Sequence, residues 1–227
     1  MENISPDNFN KDGLLFSLPP EDRDAARDVL WDECVRRAFS CEACGLSRTR
    51  KSVVFGDGSE HTELLFIGEG PGADEDEQGR PFVGKAGQLL TQILTAAGID
   101  REDVYITNVV KCRPPDNRLP QPDEMTACDL FLQAQIQLLS PSIIVLLGST
   151  PTKWLLKTTE GITKLRGRWY NWRGTSVMPM FHPSYLLRFP DGKKPGSPKR
   201  LTWQDIQEVK RQWDSLKTAG AGGDSVG

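Results

Sequence analysis

Four short apolar runs punctuate an otherwise mixed chain: Leu64–Ile67, Val104–Ile106, Ile143–Leu147 and Val177–Phe181. Each is continuous rather than alternating, the pattern of a strand buried on both faces. Between them, helical stretches are expected over Lys85–Ala97, Asp123–Leu139 and Thr150–Lys157. Pro122 and Asp123 supply a helix start and Gly98 a stop. Residues 21–39 also read as a helix, with Val29, Leu30, Val35 and Phe39 turned inward, and Gln204–Lys217 as a closing helix. Strands alternating with helices predict an α/β fold whose central parallel sheet is covered on both faces. The polar residues 1–20, ending in Pro19-Pro20, read as a flexible leader, and the glycine-rich residues 218–227 as a flexible tail. One domain, residues 21–217, lies between them.

The polar residues gather where the apolar runs stop. Gly68-Glu69 follow the first run, Asn108 the second, Gly148-Ser149 the third and His182-Pro183-Ser184 the fourth. Open α/β sheets bind ligands beyond the carboxyl ends of their strands, so these residues converge on one expected crevice. The first of them opens a glycine turn, Gly68-x-Gly70-x-x-Ala73, that has the outline of a dinucleotide-binding loop. Four acids follow at once, Asp74 to Glu77, and would repel a pyrophosphate held at a helix start. A close turn that presents Glu69 fits better, followed by a long excursion that presents Phe82 before the helix near Lys85. Phe82 is read either as a core residue or as a ring that stacks on a planar base.

Composition narrows the setting. The chain has 227 residues, 37% hydrophobic and 26% charged, as in a soluble globular domain. No apolar run approaches a membrane span and no signal peptide is visible, so the cytoplasm is the expected compartment. The net charge of −3 hides an asymmetry. Residues 1–35 hold nine acids and three bases, whereas residues 164–211 hold eleven bases and three acids. Such a basic segment suits an anionic partner such as nucleic acid, or is simply a solvated surface. Five cysteines, odd in number and expected in a reducing compartment, argue against a disulfide framework. Cys41-x-x-Cys44, Cys112 and Cys128 are candidate ligands for zinc or an iron–sulfur cluster, and the thiols alone leave both open. Cys34 is left over.

The motifs taken together resemble the family 4 uracil-DNA glycosylases. They are GEGPG (68–72), Glu75-Asp76, RPFVGKAGQLL (80–90), TNVVKCRPPDNR (107–118), HPS (182–184) and the four cysteines in order. The resemblance spans about residues 38–217. It implies a three-layer α/β/α fold with a central four-stranded parallel sheet, and a [4Fe–4S] cluster on Cys41, Cys44, Cys112 and Cys128. It further implies hydrolysis of the bond between uracil and deoxyribose in DNA by a monomer. Asn108 would read O4 and N3–H of the base. Phe82 would stack on it, Glu75 would fill the space of a thymine methyl, and His182 would donate to O2 of the departing anion. Glu69 and Gly70 would face the base and its sugar. Ser184 would hold a phosphate, with Arg188, Lys193, Lys194, Lys199 and Arg200 nearby, and Leu186 or Leu187 would wedge into the stack. Some uracil glycosylases place a water-positioning Asp where this chain has Gly70, so the group that orients water stays open. Two other readings compete: a non-catalytic nucleic-acid-binding module built round a metal cluster, and a nucleotide-dependent enzyme that uses the glycine turn.

Overall fold

A computed structural model of the protein describes residues 20–189, 192 and 194–221. The expected leader apart from Pro20, residues 222–227 of the expected tail, and Lys193 lie outside the described residues. The chain runs through α1 (Pro20–Phe39), β1 (Asp57–Gly58), β2 (Leu64–Gly68), α2 (Ala73–Gln78) and α3 (Lys85–Ala96). It continues with β3 (Tyr105–Asn108), α4 (Pro122–Leu139), β4 (Ile143–Leu147), α5 (Ser149–Leu156) and α6 (Ile162–Leu165). It ends with β5 (Tyr170–Trp172), β6 (Thr175–Met180), α7 (Pro183–Leu186) and α8 (Pro198–Ala221).

β3, β2, β4 and β6 lie side by side and pair in parallel. These are the four strands expected from the apolar runs. Two short antiparallel strands, β1 on β3 and β5 on β6, widen the sheet to six. Every residue of β2 and β4 is buried, which explains their unbroken apolar character. Successive side chains enter opposite layers. Leu65, Ile67, Ile144 and Leu146 join Trp31 of α1, Phe131 and Leu132 of α4 and Leu155 of α5. Leu64, Phe66, Val145 and Leu147 join Leu90 and Leu94 of α3 and Ile206 and Trp213 of α8. The three-layer α/β/α arrangement follows from this alternation.

α1 turns inward a face that only partly matches the one expected: Leu30 and Val35 pack against the core, but Val29 and Phe39 do not. Val29 is 60% exposed and Phe39 57%, while Ala26, Trp31, Cys34 and Ala38 are buried. Trp31 sets the phase by meeting Phe55 and Tyr105 edge-on, with ring centroids 5.6 and 5.3 Å away. The loop after β2 also departs from the expected long excursion, because the acidic run forms α2. Asp74, Glu75 and Asp76 occupy its first turn, where the helix dipole favours negative charge. Asp76 is 2% exposed. Its carboxylate accepts the backbone N–H groups of Lys51 at 2.9 Å and Ser52 at 3.2 Å. The four acids are therefore not a uniform solvated patch.

From β2 the chain crosses to β3 on one side and later returns to β4 on the other. The connections diverge beyond the carboxyl ends of β2 and β4, and an open sheet leaves a crevice at such a point.

Candidate active site

A cleft of about 250 Å³ opens at that point. Glu69, Gly70, Glu75, Phe82, Asn108, His182 and Ser184 all line it, whereas Gly148 and Ser149, also expected at the crevice, do not. Pro114, Asn117 and Arg118 add a wall that the sequence reading missed. Arg118 makes a two-pronged contact with Glu124, at 2.8 and 2.6 Å. The consecutive positive φ angles of Asp116 and Asn117, 54° each, bend this segment over the cleft. The run Pro114-Pro115-Asp116-Asn117 was a legible turn signal, although it gave no sign of where the turn would point.

Asn108 ends β3, in register with Gly68 of β2. Its side chain is 1% exposed and its Oδ1 has no hydrogen-bond partner. A Cβ on Gly68 would stand 2.3 Å from that oxygen and 2.6 Å from Cζ of Phe82. Only glycine at position 68 lets the amide and the ring approach each other. The backbone carbonyl of Asn108 is held by Nζ of Lys111 at 2.7 Å. Lys111 is 1% exposed and also donates to Thr107 Oγ1 and Gln135 Oε1, so all three of its protons are placed.

Phe82 is 7% exposed, and its ring centroid lies 5.6 Å from that of His182. Its φ of 52° is rare for an aromatic residue. Glu75 braces the chain on either side of α2. One carboxylate oxygen accepts the N–H of Gly72 at 3.0 Å, and the other accepts those of Val83 and Gly84 at 2.9 and 2.8 Å. Glu69 takes a hydrogen bond from the Thr150 hydroxyl at the start of α5. Thr150 is a second residue the sequence reading missed. A Cβ on Gly70 would stand 2.8 Å from Cγ2 of Val110, so the turn is packed tightly there.

His182 follows β6 and caps α7. Its Nδ1 accepts the Ser184 backbone N–H at 3.2 Å and lies 2.7 Å from the Ser184 hydroxyl. A nitrogen that accepts from an amide carries no proton, which leaves the proton of a neutral ring on Nε2. One edge of the ring is part-exposed to the cleft, but the rest is packed closely enough that burial lowers its pKa from 6.5 to about 4. The Ser184 hydroxyl, expected to face a phosphate, faces the imidazole instead. Of the two leucines after this motif, Leu186 is buried at 1% and Leu187 remains 48% exposed.

The uracil DNA glycosylase superfamily model matches residues 55–207. The type-4 uracil-DNA glycosylase of Thermotoga maritima is 47% identical over 186 residues, which cover 81% of this chain and 95% of that protein. That of Saccharolobus solfataricus is 44% identical over 197 residues, covering 83% and 87%. The chain belongs to the type-4 uracil-DNA glycosylases.

The protein has a second hollow, on the α1 and α4 side of the sheet. All four candidate cysteines line it: Cys41 and Cys44 just beyond α1, Cys112 after β3 and Cys128 in α4. Among the described residues, no three His, Cys, Asp or Glu side chains are grouped to hold a single metal ion. The donor set nonetheless suits a sulfur-ligated group that fills a hollow. Two N–H donors already point at the sulfurs. Arg50 reaches Cys112 Sγ at 3.4 Å, and the Lys111 backbone reaches Cys128 Sγ at 3.3 Å. Burial raises the Cys112 pKa and pushes the Cys128 thiol up to about 11. The two N–H donors act against that rise, because each favours the thiolate. Cys34 is 2% exposed inside the core, away from this lining. No helix among the described residues is long and apolar enough to cross a membrane.

Proposed function

We propose that the protein hydrolyses the N-glycosidic bond of uracil in DNA and leaves an abasic site. The observation that carries this reading is the buried, unpartnered Oδ1 of Asn108, in a cleft also lined by Phe82 and His182. Leaving such a group unsatisfied costs about 1–3 kcal/mol, which a planar ligand with an N–H edge would recover. Uracil offers N3–H beside the O4 carbonyl, so one amide accepts from the first and donates to the second. Cytosine offers a bare N3 beside an amino group and mismatches both contacts. The base has to leave the helix to reach the cleft, and Phe82 supplies a ring face to receive it. Glu75, fixed by three N–H groups, stands where a thymine methyl would press. Glu69 and Gly70 line the side on which the sugar arrives.

Breaking the bond leaves positive charge on the sugar and negative charge on the base. The Nε2–H of His182 is the donor for O2, and Ser184 holds the ring in that tautomer. Such a donor contributes about 3–4 kcal/mol to the transition state. Arg188, Lys194, Lys199 and Arg200 draw in the phosphates, and Leu187 fills the gap left in the stack. Cys41, Cys44, Cys112 and Cys128 are proposed to hold a [4Fe–4S] cluster. When bound, it would cross-link the end of α1, the segment after Asn108 and α4. The hydrolysis itself needs no electron. A monomer acting in the cytoplasm is the proposed setting.

The test is a labelled oligonucleotide with a single uracil, incubated with the protein and then heated in alkali. Cleavage is expected at the uracil and nowhere else. An intact strand across a range of salt concentrations would leave the non-catalytic binding module as the better reading.

A further inference from the structure

Phe82 holds a backbone conformation that it would not choose by itself, and charged side chains grip the chain on both sides of it. Downstream, Glu75 takes the N–H groups of Val83 and Gly84. Upstream, Nη2 of Arg101 donates to the Pro81 carbonyl at 2.7 Å. Arg101 lies in a short turn, Arg101–Asp103, that follows α3. Its other terminal nitrogen donates to Thr91 Oγ1 of α3 at 3.2 Å. Asp57 of β1 stands 3.7 Å away and is itself bound by Arg80 at 2.9 Å. The Arg101 side chain is only 15% exposed, so its fork is fixed rather than solvated. The remaining side of this peptide is closed by α3. A Cβ on Gly87 would stand 1.8 Å from the Phe82 carbonyl oxygen. The ring thus has its plane set by three supports, of which Arg101 is the one no sequence motif marks.

We propose that Arg101 is a positioning residue for the base, acting through Phe82: it locks the Pro81–Phe82 peptide and so presents the ring at the angle a flipped pyrimidine needs. The proposal rests on the reading of Phe82 as a stacking platform. A residue of this kind touches neither the base nor the bond that breaks. Its loss should weaken capture of the base in ground and transition states alike, rather than slow the chemistry at saturation.

The experiment is a double-mutant cycle with Arg101→Met and Phe82→Ala. It reads three quantities: the inhibition constant of free uracil, the half-saturating protein concentration for single-turnover excision, and the maximal rate. Stacking contacts of this type correspond to a fivefold to hundredfold change on the order of magnitude. Phe82→Ala should raise the uracil inhibition constant within that range. Arg101→Met should raise it by several-fold, with the half-saturating concentration, and change the maximal rate far less. In the Phe82→Ala background, Arg101→Met should add nothing. Arg101→Lys, which can still reach the Pro81 carbonyl but cannot bridge to Thr91, should fall between. Thermal melts of each variant keep folding separate from capture, and the lysine variant serves if methionine prevents folding. Equal losses from Arg101→Met with and without the ring would overturn the proposal while leaving Phe82 as the platform. No effect of Phe82→Ala on uracil inhibition would overturn the platform reading itself, and the proposal with it.

Discussion

The His182 ring can offer the cleft only one proton. Its Nδ1 is occupied by Ser184, and its burial keeps it uncharged down to a pKa of about 4. In the unfolded chain the same ring takes up a proton near 6.5. As pH falls through that window the unfolded state binds the proton first, so the native state loses stability, while the proposed donor stays in one form. The single-turnover rate is therefore expected to be flat on His182's account between about pH 5 and 8. His182→Ala should lower that rate by roughly 10²–10³-fold and leave DNA affinity nearly unchanged. An inflection near 6.5 that vanishes in the variant would show a charged imidazole at work. His182 and Asn108 were legible in the sequence because each is a polar residue stopping an apolar run. The part played by Ser184 was not, because a hydroxyl two residues along can turn to a phosphate or to the ring, and only the turn geometry decides.

Legibility fell off where apolar patterning is weak. The four parallel strands announce themselves because both faces are buried. β1 and β5 lie at the sheet edges, where little burial selects their sequences, and Asp57–Gly58 carries no strand pattern. α2 is short and acidic and has no apolar stripe, so its only signals are the acids of its first turn. In α1 the sequence shows several possible faces, and a single tryptophan settles which one turns inward. Two glycines separate what a strand needs from what the site needs. Gly68 has ordinary strand pairing, and an added Cβ would meet the tips of Asn108 and Phe82. Gly68→Ala should therefore abolish uracil excision while the melting temperature falls little. Gly87 faces backbone, with the Phe82 carbonyl carbon 1.9 Å from an added Cβ, so α3 itself must move. Gly87→Ala should lower excision and stability together, by about 1–3 kcal/mol as overpacking does. Equal melting temperatures for the two variants would contradict that distinction.

The cleft and the thiol-lined hollow share one stretch of chain. Asn108 lines the cleft, Lys111 ties its carbonyl to Gln135 of α4, and Cys112 lines the hollow. The basic excess lies in residues 164–211, which also carry His182 and Ser184, but none of its lysines or arginines among the described residues lines the cleft, so attraction to DNA and organisation of the cleft should be separable. Neutralising Arg188, Lys194 and Arg200 one at a time should each reduce the salt dependence of duplex binding by about one unit of slope. The excision rate at saturating protein should not change. A steep loss of that rate would mean these residues act on the base rather than on the phosphates. Removing the proposed sulfur-bound group should produce the opposite pattern. The purified protein is expected to be brown and to contain iron, because four thiols around a hollow with N–H donors suit a cluster. Cys128→Ala removes the thiol that α4 contributes to the hollow. It should lose iron and visible absorbance and melt earlier, and the excision rate should drop through the Asn108–Cys112 segment. Its binding to uracil-free DNA should keep the parent salt slope, since no basic residue of the C-terminal segment touches the hollow. Stoichiometric zinc without iron after anaerobic purification would instead assign the four cysteines to a different metal.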